Sequence, residues 1–337
     1  MAKDNGVNGH RPDFLPQLLH PAFKATLRPQ PARLGYDLDR VLAAIMPLRA
    51  EIPDDAFTAP ILGTEREGSG ILIDGDGLIL TIGYLIIEAE TTIVVDHSGR
   101  PVPARVVAYD YDSGFGLVRA QAPLGRPIVE LSADGRGLGL ASDVVIAAGG
   151  GFQHALAAKL VGRRPFVGYW EYMLDDAYFT APPHPNWGGA GLIAPDGRLA
   201  GVGSLYVQDA VGGTETAPGN MFVPIQLLFD VFDDLIRHGR SGGPARPWLG
   251  LFTAEHEGSL IVIGAAPTSP AAESGLQTED LILRIAGEPI ASMADFYRLL
   301  WSLGEAGIDV PLTVKRGANV FELAVASADR YRFLKMD

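Results

Sequence analysis

The chain has 337 residues, 47% of them hydrophobic and 20% charged, with a mean hydropathy of +0.15; this excludes a disordered or fibrous polypeptide and is enough chain for two packed domains. Against 27 Lys and Arg stand 40 Asp and Glu, a net charge of −13, and the basic residues are scattered, so a nucleic-acid backbone is repelled. The absence of cysteine removes disulfides, thiolate metal sites and a Cys nucleophile. There is no apolar run of about 18 residues, and the opening MAKDNGVNGHRPD lacks the apolar stretch of a signal peptide. The expectation is a cytoplasmic protein without a membrane span.

Residues 1–36 are rich in Pro, His and Arg, with Phe14, Leu15, Leu18, Leu19 and Phe23 in no sustained period, and read as an arm. Leu38, Val41, Leu42, Ile45 and Leu48 recur at helical spacing and predict a short amphipathic helix ending near Pro53. From Gly70 onward the texture changes to short Val- and Ile-rich runs bounded by Gly, Asp or Pro. ILIDGDGLIL places an Asp-Gly-Asp-Gly turn between two such runs and predicts a hairpin. Further strands are expected at TTIVVD, ARVVAYD, FGLVRA, SDVVIAAG, HALAAKLVG, AGLIAPDGRLAGVGSLYV and NMFVPI. This spacing, with almost no helical period between 70 and 225, points to an all-β sandwich or a pair of barrels.

Between Pro224 and His238, apolar Leu227, Leu228, Val231, Phe232, Leu235 and Ile236 recur as on a helix face. The linker GRSGGPARP follows. The remaining stretch predicts strands at SLIVIGA, DLILRIAG, VPLTVKRG and FELAVA and a helix around Met293 to Leu303, a small α+β module. The expected division is an arm and short helix over 1–59, a β domain over 60–238, a linker over 239–247 and the module over 248–330.

Several of these stretches, in this order, resemble the HtrA/Deg family of trypsin-like serine proteases with one PDZ domain. GSGILIDGDGLILT resembles the strand pair before the family's catalytic His, AYDYDSGFGLVRA the stretch holding its Asp, and HPNWGGAGLIAPDGRLAGV the stretch around its Ser. NMFVPIQLLFDVFDDLIRHGR is similar to the closing strand and helix of the protease domain, and SPAAESGLQTEDLILRIAGEPI to the middle of the PDZ. The resemblance implies a mostly β chain: a trypsin-like double six-stranded β-barrel followed by a C-terminal α+β PDZ domain.

Such a protease needs a Ser hydroxyl, an imidazole to take its proton and a carboxylate to orient the imidazole. Aligned without gaps, the His position falls on Tyr84, the Asp position on Gly114 and the Ser position on Gly188, or on Trp187 with a one-residue shift, which restores no hydroxyl either. A neutral phenol, with an unperturbed pKa near 10, is no base at neutral pH, and glycine offers no nucleophile. The resemblance therefore implies a degenerate triad and a chain that is not a peptidase. In the PDZ, the family's carboxylate-binding loop falls on Trp248, Leu249, Gly250 and Leu251. Its main-chain donors would catch the terminal carboxylate of an extended peptide, so protein or peptide C-termini are the expected partners.

Other constellations carry less. Gly149, Gly150 and Gly151 lack the P-loop ending and the GxGxxG spacing, and the His residues at 10, 20, 97, 154, 184, 238 and 256 show no metal-ligand spacing, so no cofactor or metal is expected. His184 with Asp112 would make a rebuilt base pair, and Tyr84 an added group; the plainer reading of His184 is a loop residue beside prolines. Asp175 and Asp176 read as turn acids. Tyr169, Trp170, Tyr172, Tyr178, Phe179 and Trp187 are expected along the former substrate cleft, as filling core or as a binding surface. The reading is an inactive HtrA-like adaptor, scaffold or complex subunit, with a homotrimer implied by the resemblance. The alternatives are a hydrolase with a rebuilt site and a holdase-type chaperone.

Overall fold

A computed structural model of the chain describes residues 25–132, 138–212 and 216–335. They form two compact units, one of the described residues up to Arg164 with Asp175–Gly242, the other of Pro165–Leu174 with Gly243–Lys335. The arm residues Phe14, Leu15, Leu18, Leu19 and Phe23 lie outside the described residues. No helix among the described residues is long and apolar enough to cross a membrane.

In the first unit, helix α1 (Leu38–Ala43) begins at Asp37, whose side chain accepts the Arg40 N–H. It gives way at once to strand β1 (Ile45–Glu51), which corrects the single helix expected from Leu38 to near Pro53. Ile45, Met46, Leu48 and Ala50 are buried while Pro47, Arg49 and Glu51 are exposed, a strand alternation that short apolar runs share with helices. Pro47 decides between them, because inside a helix it would lose a bond and clash with the preceding turn. After a single helical turn, α2 (Ala59–Leu62), come β2 (Glu65–Leu72), β3 (Leu78–Ile82), β4 (Thr91–Val95), β5 (Pro101–Tyr109) and β6 (Phe115–Ala120). With β1 they close a barrel in the order β1-β2-β3-β6-β5-β4, so the barrel opens at Ile45, within the stretch read as arm and helix. The expected hairpin forms: Ile71 pairs with Leu80, and Asp74 Oδ1 accepts the N–H groups of Asp76 and Leu78, an Asx turn.

A second closed barrel has the order β10-β11-β12-β9-β8-β7, built from β7 (Asp143–Ala147), β8 (Ala155–Gly168), β9 (Tyr172–Ala181), β10 (Gly191–Ile193), β11 (Leu199–Val207) and β12 (Gly219–Pro224). Asp175 and Asp176 are therefore strand residues of β9 and not turn acids; Arg163 Nε donates to Asp176 Oδ1 at 2.9 Å, an ion pair between neighbouring strands. Helix α3 (Gln226–His238) closes the unit and stops at Gly239, φ 74, the left-handed cap that glycine supplies most easily.

The second unit holds a sheet in the order β13-β14-β15-β17-β18, with β16 on β15. Its elements are β13 (Leu251–His256), β14 (Ser259–Ala265), α4 (Pro270–Glu273), β15 (Leu281–Ile285), β16 (Glu288–Pro289), α5 (Met293–Ser302), β17 (Asp309–Arg316) and β18 (Asn319–Ala326). Strand β13 has no counterpart among the expected strands, since LFTAEH lacks their Val/Ile run. Helix α5 is capped by Ser292, whose hydroxyl accepts the Asp295 N–H, and buries Phe296, Tyr297 and Leu300 against Leu251, Val262, Ile282 and Leu312. Met173, from the turn side of the β8–β9 hairpin, is part of this same core.

Candidate functional site

The first unit contains a cleft of about 880 Å³ whose wall includes Arg49, Arg66, Ser69, Tyr84, Gly149, Asn186, Trp187 and Gly188. Tyr84 stands on a 3-10 turn, Gly83–Leu85, that follows β3. The turn is fixed from below by buried Arg66, whose Nη1 donates to Tyr84 O at 2.8 Å and to Ile87 O at 3.0 Å. The Tyr84 hydroxyl donates to Ser204 O at 2.9 Å and accepts from the Trp187 side chain. Burial pushes this phenol above its ordinary range, against the smaller effect of the Trp187 bond, so it stays protonated.

The structure brings Tyr84, Gly114 and Gly188 into one neighbourhood. A Cβ added to Gly188 would lie 2.9 Å from Tyr84 Oη, so the phenol occupies the space beside that backbone. Gly114, at φ 83, accepts the Gly83 N–H at 2.7 Å. The next residue, Gly189, has φ 72, and a Cβ there would come within 2.0 Å of Ser69 O, so the turn through 188 and 189 tolerates no side chain at 189.

His184 is fully buried and does not act as the free imidazole of a rebuilt pair. Its Nδ1 accepts the Asn186 N–H at 2.9 Å, which leaves Nε2 to donate to His154 O at 3.1 Å. Burial drives its pKa down to about 4. The ring is a neutral brace of the loop carrying Asn186, Trp187 and Gly188, the plainer of the two expectations. Among the described residues no group of three or more His, Cys, Asp or Glu is placed to hold a metal ion.

The second unit carries the other site. Gly250 has φ 77, and a Cβ there would come within 2.3 Å of Ser269 Cβ, so glycine alone lets the chain turn this tightly. Ala271 N–H donates to Leu249 O and Ala266 N–H to Gly250 O, both at 2.8 Å, and with the carbonyls engaged the N–H groups of Leu249, Gly250 and Leu251 form an anion-binding concavity. That concavity is filled. Glu171 Oε2 accepts from Leu249 N at 3.0 Å, Oε1 accepts from Leu251 N at 2.7 Å, and Gly250 N–H also donates to the carboxylate. Burial raises the Glu171 pKa to about 7, opposed by these three donors. Trp248 is not one of the converging donors, because its N–H is bonded to Ala328 O at 3.1 Å.

The turn bearing Glu171 is held at further points. Tyr297 on α5 donates its hydroxyl to Gly168 O at 2.7 Å and accepts the Glu171 N–H at 3.0 Å, and Thr253 N–H on β13 donates to Tyr169 O at 3.2 Å. The aromatic expectation is corrected here: Tyr169, Trp170 and Tyr172 belong to the second unit, where Trp170 stacks on Tyr172 with 5.8 Å between centroids and Tyr169 meets Phe252 edge-on. They do not line the cleft. Tyr178 and Phe179 are buried core of the first unit, and Trp187 reaches the cleft wall. Sequence reasoning missed Glu171, because nothing in YWEYM distinguishes a buried carboxylate from an exposed turn acid.

Residues 68–202 match the family model for the trypsin-like peptidase domain and residues 247–326 that for the PDZ domain. The serine endoprotease DegS of Escherichia coli K12 is 28% identical over 279 residues, covering 77% of this chain and 75% of that protein. Protease Do-like 1, chloroplastic, of Arabidopsis thaliana is 25% identical over 306 residues, covering 81% and 66%. Among solved structures, the HtrA-type protease AlgW with decapeptide superposes with a TM-score of 0.50 at 19% identity, covering 89% of this chain and 98% of that one. The serine endoprotease from Yersinia pestis gives 0.50 at 19% identity, covering 88% and 99%. Two barrels followed by a β-sheet module with a carboxylate-type loop define a trypsin-like peptidase fold joined to a PDZ domain. The chain carries both domains in that order and is similar in this arrangement to the HtrA-type serine proteases.

Proposed function

We propose that this chain is a proteolytically inactive HtrA relative that acts by binding polypeptide partners, as an adaptor, scaffold or subunit of a complex. The observation that carries the reading is the meeting of Tyr84 and Gly188, where a Cβ on the glycine would lie 2.9 Å from the phenol oxygen. In the alignment these are the imidazole and hydroxyl positions, and a protonated phenol facing a glycine generates no alkoxide. Nor is the surrounding backbone poised for acyl transfer. The oxyanion donors of such a site are the N–H of the nucleophile position and of the residue two before it. Here the earlier one, on Asn186, is given to His184 Nδ1. Polypeptide binding is supported by the match of residues 247–326 to the PDZ domain and by the concavity at Leu249, Gly250 and Leu251. A homotrimer is the assembly the family resemblance implies.

The test is turnover of casein and of fluorogenic peptides by the purified chain. The expected outcome is hydrolysis indistinguishable from buffer. Turnover that disappears in Tyr84→Phe or Gly188→Ala would overturn the reading.

A further inference from the structure

Glu171 combines three features that a surface turn acid does not share. It is a non-glycine residue at φ 59, a left-handed conformation that residues with a Cβ adopt only under strain. It is only 2% exposed, and a carboxylate taken from water is destabilised unless donors replace that water. The donors are the successive N–H groups of Leu249, Gly250 and Leu251, the kind of loop with which PDZ domains hold a terminal carboxylate. Two residues upstream, Tyr169 O takes the Thr253 N–H of β13, as the main chain of an added strand does. Met173 and Val167, on either side of the turn, pack with the core formed by Leu251, Phe296 and Tyr297.

We propose that the turn Gly168–Glu171 is a built-in ligand of the PDZ groove, with the Glu171 carboxylate standing where the C-terminal carboxylate of a partner polypeptide binds, so that partners bind by displacing it. This rests on the reading of the second unit as a polypeptide-binding domain. A ligand tethered in the same chain competes at an effective concentration on the order of millimolar, and an outside peptide's apparent affinity falls with the fraction of molecules whose loop is open. The groove thus selects chains that bring a free carboxylate. A capped C-terminus brings no anion to replace the one expelled.

The experiment compares the full-length chain with Glu171→Gly, since glycine adopts the turn's φ without strain while the side chain and its carboxylate are lost; Glu171→Asn, also tolerated there, removes the charge while keeping a polar side chain. The probe is a fluorescent decapeptide pool with an apolar last residue and a free carboxylate, beside the same pool amidated. Hydrogen exchange of the Leu249, Gly250 and Leu251 amides is read in parallel. Glu171→Gly is expected to bind the free-acid pool at least tenfold more tightly than the unaltered chain, to ignore the amidated pool, and to exchange the three amides at least tenfold faster. Equal exchange, or measurable free-acid binding that is equal in the two proteins, overturns the proposal. Faster exchange without any peptide binding upholds Glu171 as the loop's occupant and overturns polypeptide capture instead.

Discussion

Tyr84, His184 and Glu171 each acquire their role from a few contacting atoms. The Tyr84 phenol is committed to Ser204 O, and its proximity to Gly188 means that a hydroxymethyl group added at 188 would meet it before it met any substrate. His184 is the most sharply testable of the three. Its ring is neutral in the folded chain, with a pKa of about 4 against an ordinary 6.5. A depressed folded pKa means that the unfolded chain binds the proton first as pH falls. The stability contributed by His184 is whole above about 6.5 and drains away as pH drops towards 4, by up to about 3 kcal/mol. Urea midpoints measured at pH 7, 5.5 and 4.5 are expected to fall more steeply for the unaltered chain than for His184→Asn. Parallel slopes count against this role. The identities at 84, 114 and 188 were open to inspection in the sequence. That the Asn186 N–H would end on an imidazole was not, because that bond depends on how the turn folds back.

The β8–β9 hairpin is where local pattern and observed structure part most clearly. Its first half, ALAAKLVG, alternates well enough to read as a strand, but the continuation RRPFVGYWEYMLDD mixes charge, proline and aromatics. Its strands hold because they pair with each other and because their far end, Pro165–Leu174, is built into the second unit. This gives the tip a measurable share in that unit's stability. A fragment starting at Gly243 lacks the buried Met173 and the carboxylate that satisfies three N–H groups. Losing one such apolar side chain alone costs roughly 1.5–3 kcal/mol. Fragment 243–335 is therefore expected to melt about 10 °C below the same unit in the full-length chain, given about 4–8 °C per kcal/mol for a domain of this size, as read by calorimetry. Equal melting temperatures would mean that the tip adds nothing. Strand β13 was hidden for a related reason: Thr253, Glu255 and His256 break the apolar run, and the strand is recognised by its pairing with β14.

Across the whole chain, two barrels and a PDZ domain follow in the order the family resemblance implied. The net charge of −13 argues against polyanionic partners, and the match to the PDZ domain suggests peptide binding. The homotrimer proposed from the family predicts a mass about three times that of the chain by light scattering at micromolar concentration, and a monomeric mass excludes it. Local spacing carried the Val- and Ile-rich strands, the Asp-Gly turn and helices α3 and α5, since each rests on neighbours in sequence, while the residue types at 84, 114 and 188 were legible as chemical identity alone. It could not carry the end of helix α1 at Ala43, where burial on alternate sides of Pro47 prevailed over an ambiguous period. Nor could it carry the meeting of Glu171 with Leu249, a bond across 78 positions. Contacts of that separation are set by topology and packing, and no periodicity along the chain encodes them.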